Sequence, residues 1–171
     1  MAMPAGESGV SQGTNSAVTI REFQPGDEET FRKLNEEWIT RHFRLEESDY
    51  YLFDHLQEAI LEPGGKIFFA VVDGRCVGCC ALVRMGDTEF EISKMGVTAA
   101  CQGMGAGRLL LRAAVESGRA LGATRLYLET NHALDAAQRL YASQGFKRID
   151  PSRIKPSPYA RADVFMELML D

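Results

Sequence analysis

The stretch "VTAACQGMGAGRLLLRAA", Val97 to Ala114, sets three glycines at alternate positions just ahead of a helical pattern. Glycine inside a helix costs about 1 kcal/mol relative to alanine, so Gly103, Gly105 and Gly107 need another reason to be there. A helix start leaves its first N–H groups without internal partners and carries partial positive charge. Where Cβ atoms are missing, a phosphate can approach those amides closely. The stretch therefore predicts an anion cradle built from backbone, whereas a plain strand-to-helix turn would need only one glycine. Beyond it, Ala106, Leu109, Leu110, Ala113 and Ala114 recur at helical spacing, with Arg108, Arg112, Glu116 and Arg119 on the other face.

Upstream, "KIFFAVV" and "RCVGCCALV" are two apolar strands joined by Asp73-Gly74, the pair a two-residue hairpin prefers. "TEFEISKMGV" (88–97) is a third strand leading into the glycines. Earlier still, "VTIREF" (18–23) alternates like a strand, and Phe31, Leu34, Trp38 and Ile39 mark a helix. A second helix is expected from Ser48 or Asp49 to about Leu61, ended by Pro63 and two glycines. Downstream come the strand "TRLYLE" (124–129) and the helix "NHALDAAQRLYASQG" (131–145), with Asn131 as N-cap and Gly145 as terminator. "FKRID" and "RADVFMELML" close the chain as strands around the loop 151–160. The order β-α-α-β-β-β-α-β-α-β-β predicts a mixed α/β fold, a mainly antiparallel sheet flanked by helices.

The 171 residues suffice for one domain with a substantial core. Residues 1–16, small and polar, are expected to form a disordered tail, and 17–171 the domain. They lack the basic start and apolar segment of a secretion signal, and no apolar run reaches the roughly 20 residues that span a bilayer. A cytoplasmic protein that engages no membrane is the resulting expectation. A net charge of −5 argues against a nucleic-acid partner. Cys76, Cys79 and Cys80 sit in strand-like sequence where neighbours point to opposite faces, and Cys101 stands apart, with His42, His55 and His132 scattered. Free thiols, and no metal site, are expected.

The identity of the phosphate compound can be narrowed. A nucleoside-triphosphate loop needs Gly-Lys followed by Ser or Thr, and Arg108-Leu109 follow Gly107 here. A dinucleotide fold would explain the glycines, the helix and a strand ending at Glu129. Its third glycine, however, is replaced by Arg108, and the preceding strand arrives through an antiparallel meander.

Gln102-Gly103-Met104-Gly105-Ala106-Gly107 after "KMGV", followed by "LYLETN" and "AAQRLYASQGF", resembles the two signature segments of the GNAT superfamily, the acetyl-CoA-dependent N-acetyltransferases. The resemblance runs from about Val18 to Leu170. It implies that the amides of Gln102, Gly103, Met104, Gly105, Ala106, Gly107 and Arg108 hold the pyrophosphate of coenzyme A. It implies also that the backbone of Met95 and Val97 pairs with the pantetheine arm along a strand splayed from its neighbour. The acceptor is then an amine of a small molecule or peptide, acetylated directly in a ternary complex, and a homodimer is common in the family.

Acetyl transfer needs the neutral form of an amine whose pKa is about 10.4, so a base must collect a proton, and the departing thiolate needs a donor. The resemblance points to Glu91 as base and Tyr141 as donor. Glu91 is six residues before Val97 and is expected on the same strand face. Asn131 matches a residue that contacts the pantetheine arm. Trp38, Glu46 and Tyr159 are the expected acceptor-binding residues, with Phe43, Asp49 and Arg161 nearby. Two readings stay open beside this one: a non-catalytic acyl-CoA-binding module on the same fold, and a dinucleotide-binding protein.

Overall fold

A computed structural model describes residues 16–171; apart from Ser16, the expected tail lies outside them. The elements are β1 (Thr19–Glu22), α1 (Glu28–His42), α2 (Glu47–Asp54), β2 (Lys66–Val72), β3 (Arg75–Arg84), β4 (Glu89–Val97), α3 (Ala106–Ala120), β5 (Arg125–Thr130), α4 (Asp135–Ser143), β6 (Lys147–Arg148) and β7 (Val164–Met169). Their order is the one expected. The strands form one seven-stranded sheet in the order β1-β2-β3-β4-β5-β7-β6. Among the described residues, only β4 and β5 pair in parallel.

Alternation along β2 builds both layers of the core. Phe68, Ala70 and Val72 face α3 and α4, while Ile67 and Phe69 face α1 and α2. Asp73 (φ 49°) and Gly74 (φ 76°) turn β2 into β3, the positive pair a tight hairpin needs. In β3, Cys79 joins the α1 layer and Cys80 the α3 layer, and all four cysteines are unpaired thiols. Helix α3 buries Ala106, Leu110, Leu111, Ala114 and Gly118. Leu111 thus takes the central place expected of Leu109. Fully burying a leucine contributes about 2 kcal/mol, so the α3 stripe is a main anchor of this layer.

Three local expectations are corrected. The second helix is interrupted at His55, whose backbone N–H turns back to Leu52 O, and a wide turn over Gln57–Leu61 follows. Helix α4 begins at Asp135, because Asn131 builds its own turn: its Oδ1 accepts from Ala133 N and its Nδ2 donates to Arg161 O. Asn131 therefore does not cap the helix.

The third correction concerns β4. Opposite β3, Cys79 pairs with Gly96 but Ala81 pairs with Ser93, so β4 carries one extra residue. Lys94, at φ 52°, absorbs it as a β-bulge. The bulge inverts the alternation. Phe90 and Ile92 before it, and Met95 and Val97 after it, all meet the α3 core. Glu91 and Val97 therefore lie on opposite faces, contrary to the simple period of two.

Candidate active site

β4 and β5 pair only from Glu89↔Arg125 to Ile92↔Leu128. Beyond that register β4 continues to Val97 and β5 to Thr130 without pairing to each other. The parting strands open a cavity of about 830 Å³ that reaches from α1 to the start of α3 and α4. Gly96 keeps one wall close: a Cβ there would stand 2.8 Å from the Trp38 ring, so the indole packs directly on the strand.

The glycine turn closes the far end. Gly103 and Gly105 have φ of 82° and 84°, a conformation that other residues adopt at a cost. A Cβ on either would meet nothing within 4 Å, so packing does not demand them. They leave open space above backbone amides at the start of α3. Gln102, Gly103, Gly105, Ala106, Gly107 and Arg108 line the cavity, as do Met95, Val97 and Asn131. Met104 is exposed and stands off the wall. Arg139 of α4 also reaches the cavity, a contribution that sequence reading missed.

Glu91 lines the middle of the cavity on the α1 side of the sheet. Burial, then the nearby charge of Glu129, pushes its carboxyl up to about 7, against the opposing pull of Lys94. It has no hydrogen-bond partner among the described residues. Glu129 is the second carboxylate here and was missed, although the strand ending "LYLET" could have flagged it. Its oxygens accept from Tyr127 OH at 2.9 Å and Ser157 Oγ at 2.5 Å.

Tyr141 comes from α4, its ring edge-on to Phe146 at 6.2 Å. Its hydroxyl has no partner among the described residues, yet no enclosed side-chain polar atom is left unpaired, so the hydroxyl opens on the cavity. Burial and then Cys80 push its pKa upward, so it stays protonated. The Cys79 thiol, by contrast, is enclosed and pushed up to about 12, mainly by burial.

The acceptor-side residues divide. Trp38 and Tyr159 line the cavity, with His42 and Phe43 beside the indole. Glu46 does not line it. Its carboxylate accepts from Ala160 N at 2.8 Å and pairs with Arg161 at 3.1 Å. Asp49, fully buried, accepts 2.7 Å bonds from both terminal nitrogens of Arg161 and a 2.5 Å bond from Lys94 Nζ. Burial pushes the Asp49 carboxyl up, but these cations outweigh it and hold it at about 2. Lys94 also donates to Tyr159 OH at 3.0 Å, its ammonium 4.2 Å from that ring's centre. The bulged Lys94, α2 and the β6–β7 loop are thus tied by one buried ionic cluster.

Among the described residues, no group of His, Cys, Asp and Glu could hold a metal ion, and no helix is long and apolar enough to cross a membrane.

Comparison with known proteins agrees with the geometry. The sequence model of the Acetyltransferase (GNAT) family matches residues 29–146. An uncharacterized N-acetyltransferase of Mycobacterium tuberculosis is 36% identical over 90 residues, 53% of this chain and 58% of its own. A mycothiol acetyltransferase of Thermomonospora curvata is 32% identical over 148 residues, 83% of this chain and 49% of its own. The chain thus spans about half the length of the curated relatives it matches. Among solved structures, a GNAT-family acetyltransferase from Staphylococcus aureus superposes with a TM-score of 0.82 at 19% identity, covering 91% of this chain and 100% of its own. Salmonella typhimurium yncA, solved with its cofactor acetyl-CoA, gives 0.69 at 24% identity, covering 91% and 95%.

Proposed function

The chain belongs to the GNAT acetyltransferase family, and from that premise we propose that it is an acetyl-CoA-dependent N-acetyltransferase. It passes the acetyl group directly to a primary amine of a small molecule or to an exposed protein amine. One observation carries the reading: a single cavity joins an open glycine turn, an unpaired strand backbone, a carboxyl poised near neutrality and a protonated tyrosine.

The residues fit coenzyme A. Amides around Gly103 and Gly105 face open space where a Cβ would intrude, and they stand at a helix N-terminus suited to a diphosphate. The unpaired edge of Ser93–Val97 offers donors and acceptors to an amide-containing arm, as an added strand would use them. Bound there, acetyl-CoA supplies a thioester carbonyl and a thiolate leaving group. Glu91 takes the proton of the attacking nitrogen, directly or through water, as the C–N bond forms. Tyr141 gives its proton to the sulfur as the C–S bond breaks. The acceptor enters between Trp38 and Tyr159, which wall the end of the cavity away from the glycines. A cytoplasmic setting, where acetyl-CoA is made, suits this chemistry.

Calorimetry with acetyl-CoA is the first test, and absence of uptake by folded protein defeats the proposal. With an amine panel, release of free thiol should depend on amine, and initial-rate lines should intersect; parallel lines would indicate a covalent acetyl-enzyme instead. Tyr141→Phe should lower turnover about tenfold or more while melting within a few degrees of wild type, because its hydroxyl bonds nothing in the fold. Unchanged turnover across pH removes Tyr141 from the mechanism.

A further inference from the structure

Glu91 and Glu129 stand close together on one face of the sheet, yet their surroundings differ. Glu91 is in register with Tyr127 across the parallel pair, and Glu129 follows two residues later on the same face. The two carboxylates are therefore diagonal neighbours where the strands part. Two like groups so placed do not ionise independently, and whichever receives the stronger donors becomes the fixed anion.

The donors are unequally shared. Both oxygens of Glu129 accept hydroxyl hydrogens, one from Tyr127 and one from Ser157. The Ser157 bond has a forced polarity. Its Oγ already accepts the backbone N–H of Tyr159 at 3.1 Å, so its single hydrogen is free for Glu129. Neither donor is a cation, so the Glu129 carboxyl group is held in place without a counter-charge. Glu91 receives no donor from the described residues. The difference arises because Ser157 belongs to the loop between β6 and β7, which crosses this face and is pinned two and four residues on, where Tyr159 meets Lys94 and Arg161 meets Asp49.

We propose that Ser157 is a positioning residue for acetyl transfer: it fixes Glu129 as an anion beside Glu91, so that the seated loop decides which of the two carboxylates takes up the proton. The proposal rests on the acetyltransferase reading above and deepens it by joining the acceptor wall to the proton-accepting group. The charged and titratable groups that act on Glu91 are Glu129 and Tyr127 from β5, Lys94 from β4 and Tyr159 from the loop, and His42 of α1 and Arg161 of the loop line the same cavity. Burial together with the Glu129 charge accounts for Glu91 being the group pushed up to about 7.

The test is a carbon-13 NMR titration of the glutamate side chains in the full chain saturated with coenzyme A. Glu91→Gln and Glu129→Gln assign the two signals. In wild type Glu91 should take up its proton at a higher pH than Glu129, with the two midpoints well separated. Glu129→Gln should lower the Glu91 midpoint, by about one pH unit for a close pair of like charges. Ser157→Ala should narrow the gap between the midpoints, and Ser157→Thr, which keeps the hydroxyl, should restore it. Affinity for coenzyme A should stay within about twofold in all Ser157 variants, which separates this proposal from the binding reading itself. An unchanged gap in folded Ser157→Ala overturns the proposal. So does wild type in which Glu129 protonates first, a result that needs no variant of Ser157 to fold.

Discussion

A single carboxyl carries the tension between stability and activity. Glu91 is raised to about 7 from an ordinary 4.5, chiefly by burial and next by Glu129, so folding favours its protonated form. That contribution is fully present below pH about 4.5 and is lost as pH rises through about 7. The proposed mechanism needs the opposite state, the free carboxylate. The acetylation rate should therefore fall about tenfold per unit as pH drops below 7. Glu91→Gln should flatten that limb and cost about a hundredfold in kcat/KM at pH 8. The same variant should be more stable than wild type at pH 8, by about 3 kcal/mol, and indistinguishable from it near pH 4. Thermal melts at the two pH values check the sign. A variant less stable at pH 8 would show Glu91 to be ionised comfortably in the fold.

Among the elements, the turn into α3 separates ligand demand from packing demand. Gly103 and Gly105 have positive φ, but neither is crowded, so a methyl group at either site points into open space and not into the core. Gly105→Ala should destabilise the fold by about 1 kcal/mol through left-handed strain. It should weaken acetyl-CoA binding by tenfold or more, read by calorimetry. Equal losses in an uncrowded, left-handed turn far from the cavity, such as Gly26→Ala, would refute the cradle. Much of this element was legible in advance: the glycine spacing and the amphipathic stripe are local patterns, and α3 runs where they place it. Helix α4 was misjudged at its start because Asn131 spends both ends of its amide elsewhere. One of those bonds goes to Arg161 O, thirty residues on, and no local rule anticipates it. The bulge at Lys94 was equally hidden, since no glycine or asparagine marks the left-handed position.

Across the whole molecule, a buried ionic cluster joins what the sheet alone leaves apart. Asp49, Lys94 and Arg161 come from α2, β4 and the final loop, and Arg161 lies 112 residues from its carboxylate partner. Such a partnership cannot be read from spacing, which leaves Glu46 and Asp49 readable as the start of the second helix or as holders of an amine. Breaking a buried pair strands the remaining charges, at about 3 kcal/mol. Asp49→Asn should lower the melting temperature accordingly and leave acetyl-CoA binding by the glycine turn intact. The support Asp49 gives is present above its unfolded value of 3.8 and is lost as pH falls toward about 2. Acid unfolding of wild type should therefore converge on that of Asp49→Asn only as pH approaches about 2. Curves that stay parallel throughout would exclude Asp49 from the acid transition.

One extra residue in β4 has a further bearing on how this sheet tolerates insertion and deletion. The strand is out of phase with itself: its first half shows the α1 side the residues that its second half would show to α3. Excising Lys94 would leave a regular strand: Ser93 and Met95 would follow one another, with Glu91 still on the α1 side and Ile92, Met95 and Val97 still on the α3 side. What the deletion would remove is the lysine itself, and with it the ammonium that bonds Asp49 and Tyr159. A graft across this strand can therefore drop that one residue and keep every other side chain on its face, at the cost of the ionic cluster.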